Sequence, residues 1–170
     1  MALTRHWSPR RVDRSDVERW VNASIATMVA LGADPRTLNS VRSDSRGWNI
    51  DSDPAPAEVW CGEILWPNSS ADEPDTHIYP NSPWGRIPLR AVFELGAQTG
   101  IDHMVSHLYR YAKNADYSEA AACTDQVRFM LARPGIISRI TGLVICLGLR
   151  FHKEIPLGEF RRRLGIPIPV

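Results

Sequence analysis

Apolar positions recur at helical spacing in several stretches of this chain, separated by one long interval in which the pattern lapses. Val17, Trp20, Val21, Ile25, Met28, Val29 and Leu31 mark one face of a first helix. Ser15 and Glu18 have the spacing of a capping box at its start, and Gly32 is a natural stop. Pro35 to Val41 predict a short further turn. The pattern returns at Pro88, a residue suited to a first helical turn, with Leu89, Val92, Phe93, Leu95 and Ala97 facing inward. Gly96 and Gly100 are expected to break this stretch, leaving a second piece from Ile101 to Tyr111. The next helix is capped by Asp116, with Glu119 three residues on. It turns Ala120, Cys123, Val127, Met130 and Leu131 inward and stops at Arg133-Pro134-Gly135. Ile136 to Leu149 is then almost continuously apolar. Such a helix cannot face water, so it packs inside a bundle or against a copy of itself. It is expected to be the central core helix. Pro156 opens a last short helix that ends near Gly165, before the tail Ile166-Pro-Ile-Pro-Val.

From about 43 to 87 the chain is rich in Pro, Asp, Ser and Asn, yet it holds Trp48, Trp60, Trp66 and Trp84. A disordered linker would be poor in such residues. Val59-Trp60 and Ile64-Leu65-Trp66 read as anchors, with short strands around them and around His77 to Tyr79. Long irregular connections in compact domains tend to be functional or interfacial. The resulting fold class is mainly α: a four-helix bundle with N- and C-terminal extensions and one long irregular Trp/Pro-rich connection. Residues 1–14 form an arm and 15–155 the bundle core, with 43–87 inserted. Residues 156–170 form the short terminal helix and tail.

Composition changes this picture little. The length of 170 residues suits one domain with a real core, and 44% hydrophobic with 23% charged residues is ordinary for a soluble globular chain. The net charge of +1 excludes a molecule that gathers nucleic acid by bulk charge, so any anion site must come from local clustering. Lysine occurs only at Lys113 and Lys153, which leaves arginine as the main cation. Its planar fork suits phosphate, although a GC-rich coding sequence alone produces the same bias. Cys61, Cys123 and Cys146 show no metal-ligand spacing, and an odd count argues against a disulfide framework. Cys123 and Cys146 are expected as small core residues. No apolar stretch near the start reads as a secretory signal. Ile136 to Leu149 is too short to cross a bilayer and carries Arg139, so no membrane partner is expected.

His103 and His107 share a helix face, and two imidazoles at that spacing can bind one metal ion. The glutamate of the zinc-protease motif is missing between them, and spacing offers no third ligand. No metal and no other cofactor is therefore assigned. No nucleophile elbow, phosphate-cradling glycine loop or paired carboxylate has its proper context, so no catalytic residue is named and the chain is not expected to be an enzyme. The arginines say more. Arg128, Arg133 and Arg139 surround the junction of the last two long helices, and Arg110 and Lys113 close the helix before. A bundle would gather them at one end, where free backbone amides also favour phosphate. Tyr109 and Tyr111 would offer faces to unpaired bases. In the alternative, these cations cap helix ends and pair with Asp116, Glu119 or Asp125. In the coda Glu159-Phe160-Arg161-Arg162-Arg163-Leu164, the apolar Phe160 and Leu164 dock the terminal helix or meet a neighbouring subunit.

The order of elements is familiar. Trp7-Ser-Pro and Val17-Glu-Arg-Trp20 open the chain, a Pro- and Trp-rich stretch leads to a middle helix, and two more helices precede Phe160-x-x-x-Leu164 and a Pro-rich end. This layout resembles the coat proteins of rod-shaped positive-strand RNA plant viruses of the tobamovirus, tobravirus and benyvirus type. Their endings, Phe-Glu-x-x-Leu-x-Leu-Pro or Phe-Glu-x-x-Leu-x-x-x-Trp, are similar to residues 159–167 here. The resemblance implies a capsid protein that self-assembles helically and encloses single-stranded genomic RNA through phosphate contacts. Its setting would be the virion and the host cytoplasm, its partners RNA and further copies of itself. RNA contacts would come from arginines near the ends of the C-terminal helices. Arg110, Arg128 and Arg133 fall in comparable places, with Lys113 and Arg139 beside them. The tobamovirus Asp-x-Arg-x-Arg pattern is absent. Trp60, Trp66, Trp84, Phe160 and Leu164 are the expected subunit-interface residues. Two other readings stand beside this one: a small helical accessory or regulatory protein that binds a protein partner, and a metal-dependent enzyme using His103 and His107.

Overall fold

Asp13 starts the first helix. In a computed structural model its carboxylate accepts from the Asp16 amide, while Asp16 returns the favour at the Asp13 amide. This capping box replaces the one expected at Ser15 and Glu18, because two carboxylates satisfy the orphan amides one register earlier. Ser15 instead donates to Asp13. The structure describes residues 11–53, 55–56, 59–68 and 73–151, with side chains as far as Val144. The expected interface residues Phe160 and Leu164, with the rest of the C-terminal coda and most of the N-terminal arm, lie outside them.

The elements run α1 (Arg14–Ala30), α2 (Pro35–Asp44), β1 (Asn49–Ile50), β2 (Gly62–Leu65), β3 (Asp75–Ile78), a 3-10 turn (Pro83–Arg86), α3 (Arg90–Ala112), α4 (Glu119–Ala132) and α5 (Ile136–Phe151). The protein is mainly α, and the described part of the 43–87 connection is more regular than expected. It folds into a three-stranded sheet in the order β1-β3-β2, with β1 parallel and β2 antiparallel to β3. Trp48 and Trp84 seal this segment onto the helices. Trp84 stacks on Phe93 at 4.8 Å and meets the edge of Trp20 at 5.7 Å. Three large rings thus join α1, α3 and the 3-10 turn in one core.

α3 is the central element, packed against α1, α2, α4 and the sheet. It runs unbroken through Gly96 and Gly100, against expectation. The reason is close approach. A Cβ at Gly100 would lie 2.5 Å from Cys61 Cβ, and the Trp60 ring covers Gly96. The glycines are grooves for the 59–62 loop rather than helix breaks, and packing outweighs their weak helical propensity. α4 is capped by Ser118, whose hydroxyl accepts from the Ala121 amide. The expected cap, Asp116, lies one turn-residue pair earlier and accepts from the Ser118 amide instead.

Gly135, at φ +114, reverses the chain into α5. As far as Val144, this helix is not the central core helix that its composition suggested. It packs on α4 through small residues: Gly142 is buried, its Cβ position would be 3.0 Å from Met130 Cβ, and the Ser138 hydroxyl donates to the Met130 carbonyl. The large residues point the other way. Ile136, Ile137, Ile140, Leu143 and Val144 are all between 53% and 74% exposed. No helix among the described residues is long and apolar enough to cross a membrane.

Candidate functional site

Three of the five expected phosphate-binding cations meet in one groove. The C-terminal ends of α1 and α3 and the outer side of α4 enclose about 310 Å3, lined by Arg110, Lys113, Arg128, Tyr109 and Asp125 among others. α3 closes at Lys113, where Asn114 takes a positive φ of 51° and Ala115 returns an amide to the Arg110 carbonyl. That reversal brings Arg110 and Lys113 beside the middle of α4. Arg110 Nε lies 2.6 Å from the largely buried Asp125 carboxylate, and its Nη1 donates to the Asp116 carbonyl. Arg128 reaches Asp125 only at 3.7 Å, and Lys113 reaches Asp34 only at 3.8 Å. Arg110 is therefore committed to holding α3 on α4, whereas Arg128 and Lys113 keep most of their donors for an incoming anion. Tyr109 shows its ring to the groove and takes a 2.9 Å hydrogen bond from the Asp34 amide on its hydroxyl.

Arg133 and Arg139 are elsewhere. Arg133 turns inward from the end of α4 and makes a two-pronged pair with Asp102, a wholly buried carboxylate on α3. Ser24 and Gln98 donate to the same carboxylate, at 2.5 and 3.1 Å. Arg133 is the counter-charge of a buried network, and such a carboxylate cannot be left alone in a low-dielectric interior. Arg139 lies exposed on α5. Tyr111 is not at the groove. It packs against Trp66 at 5.2 Å and Tyr117 at 5.5 Å.

The expected interface tryptophans divide. Trp84 is wholly buried and belongs to the core, so it is not offered to a neighbour. Trp60 and Trp66 are exposed, as is Leu65 at the end of β2. They wall a cavity of about 600 Å3 between the 59–66 segment, α3 and α4.

On the floor of that cavity lie His103 and His107, and the third group that spacing did not reveal. Glu119, in the first turn of α4, places Oε2 3.0 Å from His103 Nε2 and Oε1 3.2 Å from His107 Nε2. The two Nε2 atoms are 3.0 Å apart. Cys123, one turn further along α4, has its sulfur 4.0 Å from His103 Nδ1. It is part-exposed at this cavity rather than a core residue. The Glu119 carboxyl is held well below the usual carboxylate range by hydrogen bonds first from His103 and then from His107, so it is ionised throughout the neutral range. Glu119 was read as a capping residue and as a partner for arginine. The short link between α3 and α4 was the available signal, since an antiparallel helix pair sets the first turn of one beside the last turns of the other.

Comparison of the chain with protein-family models, with curated proteins and with solved structures finds no match.

Proposed function

We propose that this chain is a coat-type subunit, which assembles with copies of itself in a helical array and encloses single-stranded RNA. The observation that carries the reading is the outer face of α5. Five large aliphatic side chains on one helix face water, with Arg139 as the charged residue among them. Burial of apolar surface is worth about 25 cal/mol per Å2, so an uncovered stripe of this kind favours a docked partner strongly. A second copy is the occupant that suits it: at a net charge of +1 per chain, subunits pack side by side without strong repulsion. Contacts between α5 of one copy and a different surface of the next would be heterologous, and such contacts build open arrays when they do not close into rings. In this reading α1, α3, α4 and α5 act as the long helices of a bundle, with α2 and the sheet at its side.

The groove of Arg110, Lys113 and Arg128 supports the RNA half of the proposal. Its three cations outnumber the two carboxylates they reach, Asp125 and Asp34, and Tyr109 offers a ring beside them. Phosphate contacts of this kind are independent of sequence and weaken with salt.

Purified protein is to be followed by light scattering and negative-stain microscopy, with RNA read from its absorbance ratio. Filaments or rods carrying RNA are expected. Ile140→Asp with Leu143→Asp should give folded, unassembled subunits. Lys113→Ala with Arg128→Ala should assemble but carry severalfold less RNA per subunit. A wild-type chain that stays monomeric and free of nucleic acid over a wide range of salt and concentration overturns the proposal.

A further inference from the structure

We infer that His103, His107 and Glu119 hold a divalent transition-metal ion of the zinc class on the floor of the cavity beside Trp60 and Trp66, with Cys123 in reach as a fourth donor. The inference is independent of assembly and of RNA.

The first support is the donor triangle itself. His103 Nε2 and His107 Nε2 lie 3.0 Å apart, and the Glu119 carboxylate meets each with one of its oxygens, Oε2 at 3.0 Å from His103 and Oε1 at 3.2 Å from His107. Donors held about 2.0–2.2 Å from a tetrahedral zinc ion lie roughly 3.3–3.6 Å apart, so a shift of a few tenths of an ångström fits the triangle to the ion. His103, Glu119 and Cys123 also offer donor atoms that all lie within 4.8 Å of one another. Two imidazoles, a carboxylate and a thiol form a mixed N, O and S set, which suits zinc and its neighbours rather than magnesium or calcium.

The second support is the orientation of His107. Its Nδ1 is 2.6 Å from the Tyr117 carbonyl oxygen, which can only accept. Its Nε2 is the nitrogen turned toward His103 and Glu119. A ligating histidine is commonly oriented in this way, by a backbone carbonyl on its far nitrogen.

The third support is the setting. His107 is buried beneath Trp66, whose ring centre lies 5.9 Å from the imidazole, and the Tyr117 ring packs tilted against that indole at 4.9 Å. One wall of the site is thus fixed and apolar. Toward the cavity the triangle is open, and Thr99 and Gln126 line that cavity.

Untagged protein, freed of metal with a chelator and dialysed, is to be titrated with zinc and separately with magnesium. One zinc per chain is expected, with a rise in Tm of about 5–10 °C when zinc exceeds its Kd a hundredfold. Magnesium should have no effect. Glu119→Gln and His103→Ala, both at positions that leave the buried His107 in place, should lose at least tenfold in affinity while unfolding cooperatively without metal. Cobalt in place of zinc should give the visible absorption of a tetrahedral site, and a sulfur-to-metal band that vanishes in Cys123→Ser decides whether the thiol is a ligand. No stoichiometric zinc in the wild type, or unchanged affinity in both Glu119→Gln and His103→Ala, overturns the inference.

Discussion

His77 shows how one side chain can tie a small sheet to pH. It lies on β3, with Nδ1 2.5 Å from Asp51 and Nε2 3.0 Å from Asp75. Burial works against its charge, but the hydrogen bonds it donates to Asp51 and Asp75 prevail and raise its pKa above the ordinary value. A proton is therefore held more tightly in the folded chain than in the unfolded one. The stability it contributes is complete below the unfolded imidazole's pKa of about 6.5 and is lost as pH rises through the higher folded value. Urea unfolding at pH 6 and at pH 8.5 should show the wild type weakening across this interval, with His77→Gln weakening less. An equal pH dependence in the two proteins would remove His77 from the account. At this scale the sequence spoke unevenly. The partners of Arg110 and Arg128 were foreseen as one of two alternatives, with Asp125 named. The partner of Arg133, Asp102, was not, because a buried ion pair 31 residues apart leaves no mark in local spacing.

Among the elements, α5 separates what composition reveals from what it hides. The run Ile136 to Leu149 was read correctly as a helix, and its stop and start at Pro134-Gly135 fell where expected. Its orientation was not legible, since the periodic stripe of large aliphatic residues marks the side expected to face inward, whereas in the structure that side faces out. The small residues decide it. Ser138 and Gly142 let the α5 backbone approach α4, and the described bulky side chains from Ile136 to Val144 are left outside. Gly142→Val should force the helices apart and cost about 1–3 kcal/mol in urea unfolding, by overpacking against Met130 and Leu131. A neutral result would mean that α5 rests on α4 only loosely. α3 taught the converse lesson: Gly96 and Gly100 looked like breaks, but they accommodate Trp60 and Cys61, contacts that no window of local sequence contains.

For the molecule as a whole, mainly helical architecture was legible, along with an inserted Trp-rich segment that is anchored rather than loose. The small sheet was legible only as possible short strands, because β1 pairs with β3 across an interval of 24 residues between Ile50 and Asp75. The candidate sites followed the same division. Arg110, Lys113 and Arg128 converge because helix ends meet where two connections are short, which the order of elements implied. His103 and His107 were evident from their spacing, but Glu119 joined them only through the fold.

The two-sidedness of α5 bears finally on what the stability of this protein means. In the proposed assembly, copies of the chain cover this large aliphatic stripe, and part of the free energy of folding then belongs to association. Mass action then makes stability a property of the solution as well as of the chain. Tm measured by calorimetry should climb steadily with protein concentration for the wild type, and hold constant for Ile140→Asp with Leu143→Asp. A Tm indifferent to dilution in both would assign the whole of that stability to the single chain.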